Sequence, residues 1–233
     1  MTDPRLFRLR VTFRETGRLA MLSHLEVARA LERAVRRAKL PYAVSQGFSP
    51  HMRIAFGAAL PVGVGGTAEF FDLFLTDYVA PQKALEVLQQ ASPTDLYPTA
   101  AEYIEPRAAA ASVACPVSTY EVVLSEAPAQ VEVPRAITVV RKKKEKTLVV
   151  ADFLVGPVEL LEPGKAAEGD QVEVPVQGGG ATVRFTLEAK PTGSLRADAF
   201  VRELIAATVA ADHASESLHP VSFMRIGQRP ANG

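Results

Sequence analysis

A single cysteine, Cys115, stands among 233 residues, and tryptophan is absent. One thiol excludes an internal disulfide framework and any four-cysteine zinc or iron–sulfur site. A free thiol fits a reducing cytoplasm. Nucleotide-loop patterns are missing as well. Neither G-x-x-x-x-G-K-[ST] nor G-x-G-x-x-G occurs, and Pro61-Val62-Gly63-Val64-Gly65-Gly66 precedes a strand pattern rather than a helix. No apolar run approaches the roughly 18 residues of a membrane span. The start, Met1-Thr2-Asp3-Pro4-Arg5-Leu6-Phe7, lacks a signal-peptide core. The expected setting is the cytoplasm, with no membrane partner.

Net charge is also lacking: it is zero, which argues against a generic polyanion binder. Its distribution is uneven, however. Up to Leu60 eleven cations face only Asp3, Glu15, Glu26 and Glu32, whereas from Pro61 to Val140 three cations face ten acids. Such asymmetry permits a local anion-binding face. A hydrophobic share of 48% is ordinary for a folded soluble protein and excludes global disorder.

The pattern predicts an α+β fold of two tandem ferredoxin-like domains, the second degraded. Leu6 to Arg14 alternates as a half-buried strand. Ser23 followed by Glu26 reads as a capping box opening a helix whose apolar stripe is Val27, Ala28, Leu31, Val35 and Ala38. Strands follow at Arg53–Leu60 and Glu69–Thr76 across a glycine-rich turn, then a helix at Pro81–Ala91 and a strand at Asp95–Glu105. The order is β-α-β-β-α-β, over residues 1–112. In the second domain, 113–227, strands are expected at Thr119–Ser125, Ile137–Arg141, Thr147–Leu154, Gln171–Val176, Thr182–Glu188 and Pro220–Ile226. A helix is expected at Arg196–Ala211. The position of a first helix, Ala127–Ala136, carries two prolines and no helical period. Residues 228–233 read as a disordered tail.

Candidate chemistry concentrates between Gly17 and Asp72. His24 follows the cap and falls in line with Leu31 and Val35, so it is either a hydrogen-bonded packing histidine or a neutral base or ligand. Arg29, Arg33 and Arg36 recur on the face opposite the apolar stripe, either as a solvated face or as a phosphate-binding one. The segment Ser45-Gln46-Gly47-Phe48-Ser49-Pro50-His51-Met52-Arg53 gathers amide, aromatic, imidazole and guanidinium groups in a loop, the place where binding residues concentrate. Phe48 either plugs the core or stacks on a base. The expected substrate-binding set is therefore Gln46, Phe48, His51, Arg53, Arg29 and Arg33, with His24 and His51 as the catalytic candidates and His24 beside the loop. Glu69 and Asp72, three apart on a strand, point to opposite faces and are not a paired-carboxylate site; no metal site is assigned. Arg141 to Lys146 reads as a solvated turn.

These segments, G-R-L-A-M-L-S-H-L-E-V-A-R-A-L-E-R-A-V-R-R-A, S-Q-G-F-S-P-H-M-R-I-A-F, A-L-P-V-G and E-F-F-D, resemble the radical SAM-linked proteins, a family of unknown function often encoded as C-terminal extensions of radical SAM enzymes. The resemblance is strong over Leu6 to Thr76 and holds in outline beyond, through Thr119-Tyr120-Glu121 and Phe223-Met224-Arg225-Ile226-Gly227. It implies a companion that presents substrate to a radical SAM enzyme and brings no established catalytic residues. No C-x-x-x-C-x-x-C is present, so S-adenosylmethionine and the iron–sulfur cluster are expected only on a separate partner. A more distant likeness to CRISPR repeat-processing endoribonucleases is one of fold alone.

Three functions compete on this basis. The first is an accessory or substrate-recognition protein for a radical SAM enzyme, with RNA as the candidate substrate. The second is a stand-alone endoribonuclease-like enzyme using histidine acid–base chemistry. The third is a protein-interaction module, which leaves the loop unexplained.

Overall fold

The structure, a computed structural model, describes residues 6–141, 144–162 and 180–231. The chain divides into two compact units, Met1–Cys115 and Pro116–Gly233. Both mix helices with antiparallel sheet, so the fold class is α+β.

The first unit runs β1 (Phe7–Glu15), α1 (His24–Arg37), β2 (Ile54–Phe56), β3 (Gly65–Leu75), α2 (Pro81–Ala91), β4 (Leu96–Tyr103) and the one-turn α3 (Ala111–Ala114). Its sheet order is β4-β1-β3-β2 with every neighbouring pair antiparallel. Period-two alternation in β1 sends Leu9, Val11 and Phe13 to the helix side, opposite Leu73, Phe71 and Glu69, and sends Arg8 and Arg10 to the other face. Val27, Leu31 and Val35 of α1 and Ala84 and Leu88 of α2 complete this core. Ser23 caps α1: the Glu26 carboxylate accepts from the Ser23 N–H at 2.8 Å and its hydroxyl at 2.7 Å. The hydroxyl bond first, then the backbone bond, holds Glu26 below the usual carboxylate value.

The second unit runs β5 (Val117–Leu124), β6 (Ala136–Arg141), β7 (Lys144–Val149), β8 (Glu159–Leu161), β9 (Thr182–Glu188), α4 (Ala197–Ala210) and β10 (Pro220–Arg229). Its main sheet reads β10-β5-β9-β8, and β6 and β7 form a separate hairpin. The first strand is again flanked by the third and fourth strands of the main sheet, as β1 is in the first unit. Where the first unit places a helix between its first two strands, this one has the β6–β7 hairpin. Tyr120, Phe185, Phe200 and Phe223 share ring contacts between 4.8 and 6.3 Å at its centre.

Several boundaries differ from the sequence expectation. The strand expected at Arg53–Leu60 pairs only over Ile54–Phe56; after Gly57 bonds Phe70 O the chain leaves the ladder. The glycine-rich turn ends early, because Gly65 and Gly66 already lie in β3, Gly66 opposite Glu15. Thr147–Leu154 stops at Val149, where a 3-10 turn, Val150–Asp152, takes over. Ala127–Ala136 is not helical; it is tied down by Ala129 N–H to His213 O and by Glu132 N–H to the Thr208 hydroxyl. Strand β8 was not anticipated and occupies the edge beside β9. The expected strand Gln171–Val176 lies outside the described residues. Of the expected tail, Gln228 and Arg229 belong to β10 and pair with Ser118 and Val117.

Candidate functional site

Between α1 and β2 the chain leaves the sheet edge and returns as a narrow projecting hairpin. Its base is fixed by three backbone bonds at one level: Ala43 N–H to Phe74 O, Arg53 N–H to Ala43 O and Phe74 N–H to Arg53 O. Val44 pairs with Met52, whose side chain is buried in the core. Ser45 then donates its N–H to His51 O at 2.8 Å and accepts the His51 N–H on Oγ at 3.0 Å. At the tip Gly47 has φ +144°, a conformation open to glycine. Beyond this closure Gln46, Gly47, Phe48, Ser49, Pro50 and His51 are all exposed, and Phe48, at 111% relative exposure, lies wholly in solvent. Phe48 therefore does not plug the core.

Arg53 stands apart from the tip. It is half-buried, with its guanidinium 4.8 Å from the Phe74 ring centroid. Arg29 and Arg33 are exposed on α1, and among the described residues neither makes an ion pair; Arg36 pairs with Glu32 at 3.2 Å.

His24 departs from the expectation in two ways. It is exposed rather than on the buried stripe, because it is the first helical residue and precedes the first full core turn at Val27. It also does not join the hairpin. Its ring meets Phe56 edge-on at 5.5 Å, three residues and about 10 Å of strand beyond Arg53. The hairpin follows the other end of α1, a helix of 14 residues and so about 20 Å long. His24 instead borders a shallow recess lined also by Phe13, Glu15, Val27, Phe56 and Glu69. Glu15 and Glu69 are buried. Gly66 makes room there, since a Cβ at that position would fall 2.3 Å from Glu69 Oε1. No group of three or more His, Cys, Asp or Glu suited to a metal ion exists among the described residues.

On the opposite face of the same sheet lies a cluster that residue types alone did not single out. Asp72, completely buried, accepts from Arg8 at 2.7 Å and from Arg10 Nε and NH2 at 2.8 and 3.0 Å. Its hydrogen bonds hold the Arg10 guanidinium above its ordinary pKa. Arg8 also donates to the carbonyls of Pro106, Ala108 and Ala109, fastening that segment against the sheet. The i, i+2 spacing of Arg8 and Arg10, opposite an aspartate on a neighbouring strand, was the available signal.

An α+β scaffold of two units, the first carrying an exposed polar–aromatic hairpin, defines the class of protein. The family model described as an uncharacterized protein conserved in bacteria (DUF2344) matches residues 8–154, and the chain belongs to that family. No curated protein matches the chain. The matched span includes the hairpin, the recess and the Asp72 cluster.

Proposed function

We propose that this chain is a recognition protein that presents an RNA substrate to a separate radical SAM enzyme, with the hairpin Ala43–Arg53 as the contact element. The observation that carries the reading is Phe48: its ring is fully in solvent, on a hairpin locked at its base. A ring held this way stacks on a base with little ordering cost. Gln46 and His51 beside it offer hydrogen-bonding groups to base edges, and Arg29 and Arg33 supply cations for phosphates. The radical SAM partner rests on the resemblance of the Gly17–Asp72 segments, and the lone cysteine of this chain supports reading the cluster as the partner's. Both units are read as ferredoxin-like, the second with a hairpin in place of its first helix. Recognition is preferred to RNA cleavage by His24 or His51 because the observation that carries the reading, the solvent-exposed Phe48 ring, offers a stacking surface rather than an acid or base.

Fluorescence anisotropy with short single-stranded RNAs over a salt series tests the reading. Phe48→Ala is expected to weaken binding by roughly 1–3 kcal/mol at every salt concentration. Replacing Arg29 and Arg33 by Gln is expected instead to flatten the salt dependence, by about 0.7 per lost phosphate contact on a log–log plot. No binding at low salt, or binding indifferent to Phe48→Ala and His51→Ala, overturns it. Anaerobic purification from the native host is expected to bring down a radical SAM enzyme, while iron and sulfide reconstitution of this chain alone leaves it colourless.

A further inference from the structure

The end of the first unit that bears the hairpin also carries an aromatic group. Tyr103, at the end of β4, donates its hydroxyl to Val79 O at 2.8 Å and accepts the Val79 N–H at 3.2 Å, which fixes the ring in both directions. Tyr78 stacks on it, with centroids 5.2 Å apart and planes 26° off parallel. Phe7 meets both rings edge-on, at 5.8 and 6.1 Å. Tyr78 thus has one face held by a locked neighbour, yet remains 60% exposed, and Phe7 remains 38% exposed. Core packing accounts for Tyr103 but leaves the outer Tyr78 ring to solvent.

The ladder brings this group next to the hairpin. Leu75 pairs with Phe7 on one side and Tyr42 on the other, so Phe7 and Tyr42 are about two strand spacings, roughly 10 Å, apart. Thr76 donates its N–H to Pro41 O at 2.8 Å, which ties the approach to Tyr78 to the start of the hairpin segment. Arg37 and Lys39 end α1 here, exposed and without an ion pair among the described residues; Asp77 is the nearby acid and accepts from the Thr76 hydroxyl.

From this arrangement we propose that Tyr78, steadied by Tyr103 and Phe7, is a second base-stacking position, and that one single-stranded RNA runs from Phe48 past Lys39 and Arg37 to Tyr78. The occupant is a nucleobase because the surface offered is a flat, fixed π-face next to two free cations, the pairing that single-strand binders use. This rests on the RNA reading of the hairpin and extends it to a bipartite site.

The chain's five tyrosines and lack of tryptophan make tyrosine emission a direct readout. An RNA of about eight nucleotides, within the span of single-strand sites, is titrated by anisotropy and by tyrosine emission. Tyr78→Ala is expected to weaken binding by about 5- to 150-fold, with thermal melting checking that the variant is folded. Tyr78→Phe, which keeps the ring, is expected to retain affinity but lose part of the RNA-induced quench of tyrosine emission. Full affinity in Tyr78→Ala, or an undiminished quench in Tyr78→Phe, overturns the second position. Loss of binding in Phe48→Ala under either result leaves the hairpin reading intact. Absence of RNA binding by the native chain removes both.

Discussion

Two clusters in the first unit draw on the same kinds of residue and reach opposite ends. Around Asp72, two arginines, a carboxylate and the Phe74 ring meet on the sheet; Arg8 is 6% exposed, Asp72 not at all, and four carbonyl or carboxylate partners take up the two terminal nitrogens of Arg8. Around Phe48, an amide, a ring and an imidazole meet at a hairpin tip and find no side-chain partner among the described residues. The first cluster is consumed by the fold. The second leaves its hydrogen-bonding and stacking capacity open. Polar and aromatic residue types do not by themselves distinguish a site from a brace; what distinguishes them is whether burial has already closed their valences.

That contrast breaks most easily at Asp72. Asp72→Ala leaves two guanidinium groups without their shared carboxylate, and removing one partner of a buried ion pair costs about 3–5 kcal/mol. Urea unfolding is expected to read a loss of that size, and a near-native midpoint would show that the cluster is not a brace. Next comes Leu31→Ala in the core beneath the basic helix face. Leu31 is 1% exposed, so truncation is expected to cost about 2–5 kcal/mol, with RNA binding unchanged in the fraction that remains folded.

A smaller effect belongs to the cap of α1. Ser23→Ala is expected to cost about 0.5–2 kcal/mol and to make stability less dependent on pH. Ser23 holds the Glu26 carboxyl below the usual carboxylate value, the hydroxyl bond leading. The contribution of Glu26 is therefore complete above the unfolded value and is lost as pH falls through the lower folded one. Thermal melts of the two proteins are expected to converge in acid, and a constant gap down to low pH would separate the cap from Glu26. The smallest stability change sharpens the comparison from the other side. Phe48→Ala is expected to move stability by no more than about 0.5 kcal/mol, since the ring contacts solvent. A large destabilisation would return Phe48 to the brace category.

The first unit was legible in outline because its patterns are long and local. Alternation in Phe7–Glu15, the Ser23–Glu26 cap and the proline opening Pro81–Ala91 each sit within one element. The second unit was less so. Its first connection has prolines in place of helical periodicity, and its edge strand β8 is three residues long, too short for alternation to register. At the site, the loop Gln46–His51 was visible from its composition. The position of His24 was not, because a helical wheel gives a direction around the axis but ignores that the first residue precedes the turn covered by the sheet.

The sequence by itself determined the element order of the first unit, the cap, the apolar stripe of α1 and the existence of a polar–aromatic loop, all set by neighbours within a few residues. Only the tertiary structure decided that Arg8 and Arg10 are spent on Asp72, 64 and 62 residues away. It also parted His24 from the hairpin, sent Phe48 into solvent and stacked Tyr78 on Tyr103. The physical reason is that local propensity fixes which backbone conformation a segment adopts, whereas the fate of a polar or aromatic side chain depends on partners delivered by strands distant in the chain. Those partners determine whether its hydrogen bonds and ring faces are closed or left for a ligand.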